Sequence, residues 1–427
     1  MPDRRLPVRP NLDQLRHQAK DLLRAVRAGD PEAVAEFRAH RPDLAALGAD
    51  LERVRLADAQ LVLARAYQAS SWNRLVQAAE MVEAIWTDDL DALRRLLRLN
   101  PALLRDEVLI RADSNWGAPM TYAANLGRDR LIRFLYDEGA RDLESAAGRA
   151  ALQGHVETAR MIHDLAGRPA LKPGALGGPA YTLSASGTEL LLSLGARVVD
   201  EQGARLAPVD VVLQTDSRNP ERKHAILEMY AKAGLALPDT PVMALHRGRL
   251  DLLEEHLHRD PALLARTFTH REIYPAEMGC GDPLDATTGT PLGGSTLLHM
   301  CVEFDELEIG RWLLERGMDP NVRSRVGGSG FGGHTPLFNS VVSQPNFWMN
   351  YRERGPFVAP FAELLLERGA DPSVRASLWK RLHPGHGDPQ RRDYRDVTAL
   401  SWGERFVDPI FVSRPAMQRI EEAGGVR

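Results

Sequence analysis

Thr296-Leu-Leu-His299, then Glu308 through Leu314, then Arg316-Gly-Met-Asp-Pro-Asn321 carry the fold of this chain. The threonine opens one helix, the Leu-rich stretch forms a second, and Gly317 stops it. A threonine ahead of a helix can cap its free N–H groups. A glycine just past a helix accepts the left-handed conformation that ends it, and Asp-Pro-Asn then turns the chain outward. The same order returns at once. Thr335-Pro-Leu-Phe338 opens the next unit, with proline suited to the first helical turn, and Leu364-Leu-Leu-Glu-Arg-Gly-Ala-Asp-Pro372 closes it.

Further copies lie on both sides. Ala118-Pro-Met-Thr-Tyr-Ala-Ala124 leads through Gly127 to Leu131-Ile-Arg-Phe-Leu-Tyr-Asp-Glu-Gly-Ala140, with Gly139 as the stop. Ala146 through Gly154-His-Val-Glu157 leads to Met161-Ile-His-Asp-Leu165, and a late copy begins at Val397-Thr-Ala-Leu400. From Ala175 to Leu237 the pattern thins to second helices and their glycine stops, Gly195 and Gly234. A second signature is Leu90-Asp-Ala-Leu-Arg-Arg-Leu-Leu-Arg-Leu-Asn-Pro-Ala-Leu-Leu104. It returns as Leu250-Asp-Leu-Leu-Glu-Glu-His-Leu-His-Arg-Asp-Pro-Ala-Leu-Leu264 and, more loosely, over Glu32 to Leu44. Each copy is an amphipathic helix ended by Pro42, Pro101 or Pro261.

These residues resemble the ankyrin repeat: a tight turn, Thr-Pro-Leu-His opening a first helix, a Gly-His-x-Glu link, a Leu-rich second helix and a terminal Gly-Ala-Asp. The match is strong from Thr296 to Asp371 and good from Pro119 to Gly167. The resemblance implies an all-α, right-handed α-solenoid of helix-turn-helix units, about eight to ten of them, with an N-terminal helical cap. It also implies structural roles for His299, which braces neighbouring turns, and for His155 in the Gly-His link. The function it implies is binding of another protein on the inner helices and finger loops.

Residues 1–85 read as that cap. Leu12 to Leu23 and Leu56 to Tyr67 are amphipathic helices, and Ser71 caps a third with Trp72 as a core anchor. A terminal repeat needs one face covered from water; a separate docking domain is the sharper alternative. Residues 86–266 follow as irregular repeats, then a long insertion at 267–292. Residues 293–427 are the C-terminal repeats, interrupted at 343–357. Long loops on a rigid scaffold often carry function. Partner contact is therefore expected at Phe331, His334, Phe347, Trp348 and Tyr351, although the three aromatics of the second insertion can equally pack inward.

Composition narrows the rest. With 44% hydrophobic and 26% charged residues the chain is a folded one. Its net charge of −4 gives no general attraction to nucleic acid. No run of about 18 apolar residues spans a membrane, and the first residues lack a signal peptide's apolar stretch. Cys280 and Cys301 are too few for a disulfide framework, so a reducing cytoplasm is expected.

A search for chemistry returns little. No lysine follows a glycine, so a phosphate-cradling P-loop is missing. Gly328-Ser-Gly-Phe-Gly-Gly333 fits Gly-x-Gly-x-x-Gly in form, but it lies in a connecting finger and reads as a turn. Metal is not expected: His-Glu-x-x-His is absent, His256 and His258 point to different faces, and His383-Pro-Gly-His386-Gly-Asp388 reads as a solvated loop. Glu272, Glu277, Asp282 and Asp285 could hold an acid–base pair, with a solvated acidic loop the plainer reading. No cofactor is expected. The alternative to a protein binder is an enzyme or small-molecule site walled by the two insertions against the inner face, which would show an enclosed pocket of converging Glu, Asp or His.

Overall fold

The structure, a computed structural model, describes residue 4 and residues 6–41, 51–108, 116–281, 289–344, 358–382 and 390–427. It divides into two compact units, Met1–Ala170 and Leu171–Arg427. Both are built mainly from short helices packed against their neighbours in sequence.

The first unit begins with α1 (Leu12–Arg27), α2 (Pro31–His40), α3 (Leu56–Ala66) and α4 (Trp72–Trp86). Asn11 caps α1 and Ser71 caps α4 through their side chains, each satisfying an N–H with no helical partner. Leu15, Leu22, Val62, Leu63 and Leu75 form its core, against which Trp72 is only partly buried. Next come α5 (Leu90–Leu99), α6 (Pro119–Asn125), α7 (Asp129–Asp137), α8 (Leu143–Gln153) and α9 (Val156–Leu165). Two hydrogen bonds tie the N-terminal segment to this stack: the Tyr122 hydroxyl donates to the Val8 carbonyl at 2.9 Å, and Arg128 Nε to that of Ile85 at 3.2 Å.

The second unit holds α10 (Gly177–Thr182), α11 (Ala185–Ser193), α12 (Val209–Gln214), α13 (Pro220–Lys232), α14 (Pro241–His246) and α15 (Leu250–Arg259). After α16 (His270–Ile273) follow α17 (Leu297–Phe304), α18 (Leu307–Glu315), α19 (Pro336–Val341), α20 (Pro360–Glu367), α21 (Ala399–Arg405) and α22 (Arg414–Glu422). The thin stretch therefore keeps its first helices, α10 and α12, as six-residue helices lacking a Thr-Pro opening. Among the described residues, one two-stranded sheet departs from the all-helical pattern. Strands β1 (Ala376–Lys380) and β2 (Arg392–Val397) pair antiparallel as a finger between α20 and α21.

The repeated Pro-Ala-Leu-Leu segments are the same local structure. Both end their helix in a short 3₁₀ turn, Pro101–Leu104 and Pro261–Leu264, that buries Leu103 and Leu263. The helix-stopping glycines 139, 317 and 369 sit at φ of +99°, +91° and +89°, a region open to glycine at little cost.

Candidate functional site

In the second unit the chain leaves each Leu-rich helix through a glycine and runs into a finger. Residues 321–334 go out and back, closed by Ser324 N–H to His334 O at 2.9 Å and Gly327 N–H to Phe331 O at 2.8 Å. Neighbouring fingers are joined. Arg325 N–H donates to Gly294 O at 2.7 Å on one side, and Gly332 N–H to Ser377 O at 2.7 Å on the other. Asn321 spans the next turn, giving its Nδ2 to Gly369 O at 2.9 Å and taking the Asp371 N–H at 2.6 Å. With its main-chain groups tied on both edges, the finger row is a rigid platform.

The platform is strongly basic. Segments 321–334, 375–381 and 390–397 carry Arg323, Arg325, Arg375, Arg381, Arg391, Arg392 and Arg395, all exposed, against Asp393 and Asp396. Two of these arginines are held over aromatic rings. The Arg391 guanidinium lies 5.1 Å from the Phe331 ring centre and 4.8 Å from that of Trp379, and Arg395 lies 4.5 Å from Phe331. Such contacts fix a guanidinium against the ring quadrupole. Asp393 accepts from Arg391 Nε at 2.9 Å and lies 3.8 Å from Arg395.

Of the expected contact residues, Phe331 and His334 meet in this platform, and both are buried. Phe331, 7% exposed, is the floor beneath the arginines. His334 is a brace. Its Nε2 donates to Pro291 O at 3.1 Å, so its Nδ1 accepts from the Ser324 hydroxyl at 2.8 Å. His299 repeats the arrangement one unit earlier, donating Nε2–H to His334 O at 3.0 Å and accepting at Nδ1 from the Thr296 hydroxyl at 2.9 Å. The two rings stand perpendicular, 5.2 Å apart. Each ring must stay neutral to accept at Nδ1. Burial lowers the pKa of His299 to about 4 and that of His334 well below its ordinary value, the latter helped by the facing His299. Phe347, Trp348 and Tyr351 lie outside the described residues.

The other candidates resolve locally. Glu272 closes a capping box with Thr269 on α16, Glu277 is exposed, and Asp282 and Asp285 lie outside the described residues. The Gly328–Gly333 motif is a turn with no strand-to-helix context. His256 and His258 face different acids, Asp239 at 3.1 Å and Glu254 at 3.7 Å, and the His155 ring packs against Gly127. His383, His386 and Asp388 are outside the described residues. Among the described residues no three His, Cys, Asp or Glu side chains gather where they could hold a metal ion. Cys280 and Cys301 are free and buried, and burial raises both thiols, Cys280 to about 12.

One cluster had no local signal in the sequence. Arg218, 6% exposed, donates to Glu303 Oε1 at 3.2 Å and to the Glu303 carbonyl at 2.9 Å, while Glu303 is 1% exposed. Beside them Lys223 Nζ lies 2.6 Å and His224 Nε2 3.0 Å from Glu306 Oε1. Lys223 also sits 5.0 Å over the Phe304 ring. Burial outweighs the Arg218 attraction and raises the Glu303 carboxyl. Gln344 N–H donates to Glu303 at 3.3 Å, and Gly289 presses against its other oxygen, so the described ends of both insertions meet this carboxylate. The enclosed space beside the cluster, lined by Ser217, Arg218, Asn219, Lys223 and Phe304, is about 10 Å³. That holds one water and no substrate.

The first unit has an open cleft of about 730 Å³ among α1, α4 and α5, with Arg16, Glu80, Glu83, Arg95 and Leu96 on its walls and Leu99 exposed at its rim.

The family model "Ankyrin repeat" matches residues 293–325, the unit from Gly293 through the start of the basic finger. No curated protein matches the chain. Among solved structures, the human ASB11 ankyrin repeat domain is similar at 16% identity with a TM-score of 0.25, covering 73% of this chain and 99% of that one. The ankyrin repeat domain of Bcl-3, a unique member of the IkappaB protein family, is similar at 16% identity with a TM-score of 0.22, covering 64% of this chain and 97% of that one.

Proposed function

We propose that this ankyrin-repeat protein is an interaction scaffold that binds another protein on the finger platform of its second unit. The observation that carries this reading is the arginine layer over Phe331 and Trp379. Arginine and aromatic side chains dominate binding energy at protein interfaces. Here they are ordered before any partner arrives, so binding costs less side-chain entropy. Repeats place such a surface on a stack of helix pairs that need no change of shape to present it.

The reading is tested by affinity capture from the native host with the full chain and with two variants. Arg392→Glu with Val326→Asp should abolish recovery of a specific partner, whereas Arg311→Glu on the outer helix α18 should not. Loss with the α18 variant and retention with the finger variant would overturn it.

The alternative, an enzyme or small-molecule site walled by the insertions, is favoured by one observation: a residue of each insertion, Gly289 and Gln344, lies against Glu303. The Arg218–Glu303 pair that they meet is buried and hydrogen-bonded within the chain, which supports a structural role better.

A further inference from the structure

We infer that the partner docks through an acidic segment, and that Asp393 occupies the place that segment's carboxylate would take. The inference rests on the finger reading above and names the chemistry of the partner. A guanidinium held near a ring keeps N–H groups free of the ring face for a carboxylate, which arginine can grip with up to two hydrogen bonds. Arg391 and Arg395 share this state over Phe331, and one exposed carboxylate, Asp393, lies against both at 2.9 Å and 3.8 Å.

An exposed ion pair of this kind contributes little, because water screens it and the side chains lose freedom to form it. An incoming aspartate or glutamate can therefore displace Asp393 at small cost. The surrounding charge favours this exchange, since the three finger segments carry seven exposed arginines and two aspartates.

A nucleic acid fits the same surface less well. Single-stranded nucleic acid is gripped by stacking bases on open aromatic faces. Phe331 is only 7% exposed and the Arg391 guanidinium already covers Trp379. The chain as a whole has 58 acidic against 54 basic residues.

The test is a titration of the full chain against fluorescent poly-L-glutamate, read by anisotropy at low and at physiological salt, with polyuridylate as the competing class. Saturable binding that weakens with salt is expected. Arg391→Gln with Arg395→Gln should weaken it roughly tenfold, and Asp393→Asn should tighten it roughly threefold. The gain from Asp393→Asn cannot come from a misfolded chain. No saturable binding, binding indifferent to both arginines, weaker binding by Asp393→Asn, or tighter binding of polyuridylate would overturn the inference. Capture of a host partner through the fingers that poly-L-glutamate fails to compete would also overturn it, while leaving the finger reading intact.

Discussion

Arg218 donates to both the main-chain carbonyl and the carboxylate of Glu303, 85 positions further along the chain. The loop ahead of α13 is thereby pinned to the end of α17, where the thin repeats meet the strong ones.

Removing one partner of a buried pair leaves the other charge without compensation. Arg218→Ala should therefore destabilise the second unit by about 3–5 kcal/mol. Glu303→Gln should cost less, about 1–2 kcal/mol, since burial already disfavours the charged carboxyl and an amide can still accept from Arg218. Urea denaturation of the full chain reads both. An Arg218→Ala chain as stable as wild type would show that the cluster holds nothing together.

The His299–His334 brace makes stability depend on pH. Both folded-state pKa values lie below that of a free histidine, so the unfolded chain binds protons first as pH falls. Stability is then fully present above about pH 6.5 and is lost as pH drops toward the folded values, His299 alone accounting for about 3 kcal/mol by about pH 4. Chemical denaturation at about pH 7 and about pH 5 measures this slope. His299→Gln with His334→Gln should be less stable near neutrality and flatter with pH. An unchanged slope in that variant would place the titration elsewhere.

Gly332 is the weak point of the platform. Its φ is +117°, and a Cβ there would come 2.1 Å from the Arg325 carbonyl oxygen. Gly332→Ala should break the bond to Ser377 and cost about 2 kcal/mol in local stability. Hydrogen exchange should quicken across residues 325–332 and 376–380 while the helices α17 and α18 keep their protection. Unchanged protection in both fingers would contradict the joined-finger description.

Much of this fold was legible because its signals are local. Thr296 and Thr335 occupy the N-cap positions, without a side-chain bond to the free helix N–H groups, and Gly317 and Gly369 stop their helices. The structure adds a further opening of this kind at Thr240-Pro-Val-Met, where Thr240 accepts from Met243 N–H at 3.1 Å. The unforeseen features depend on distant contacts. β2, Arg392-Asp-Tyr-Arg-Asp-Val397, is too charged to read as a strand alone and is held by β1, which itself bridges to Gly332. Phe331 lies buried in a finger, and its cover comes from Arg391 and Arg395, which no spacing rule ties to it. Arg218 and Glu303 carry no pattern that marks a charged side chain for burial.

Photo-crosslinking decides the central claim most directly. A photoreactive residue is placed in the full chain at Val326, at Arg392, or at Arg311 on α18, and irradiated in the native host. The account predicts one shared protein adduct from Val326 and Arg392, lost on Arg391→Gln with Arg395→Gln, and none from Arg311. An adduct from Arg311 with none from the fingers would contradict it.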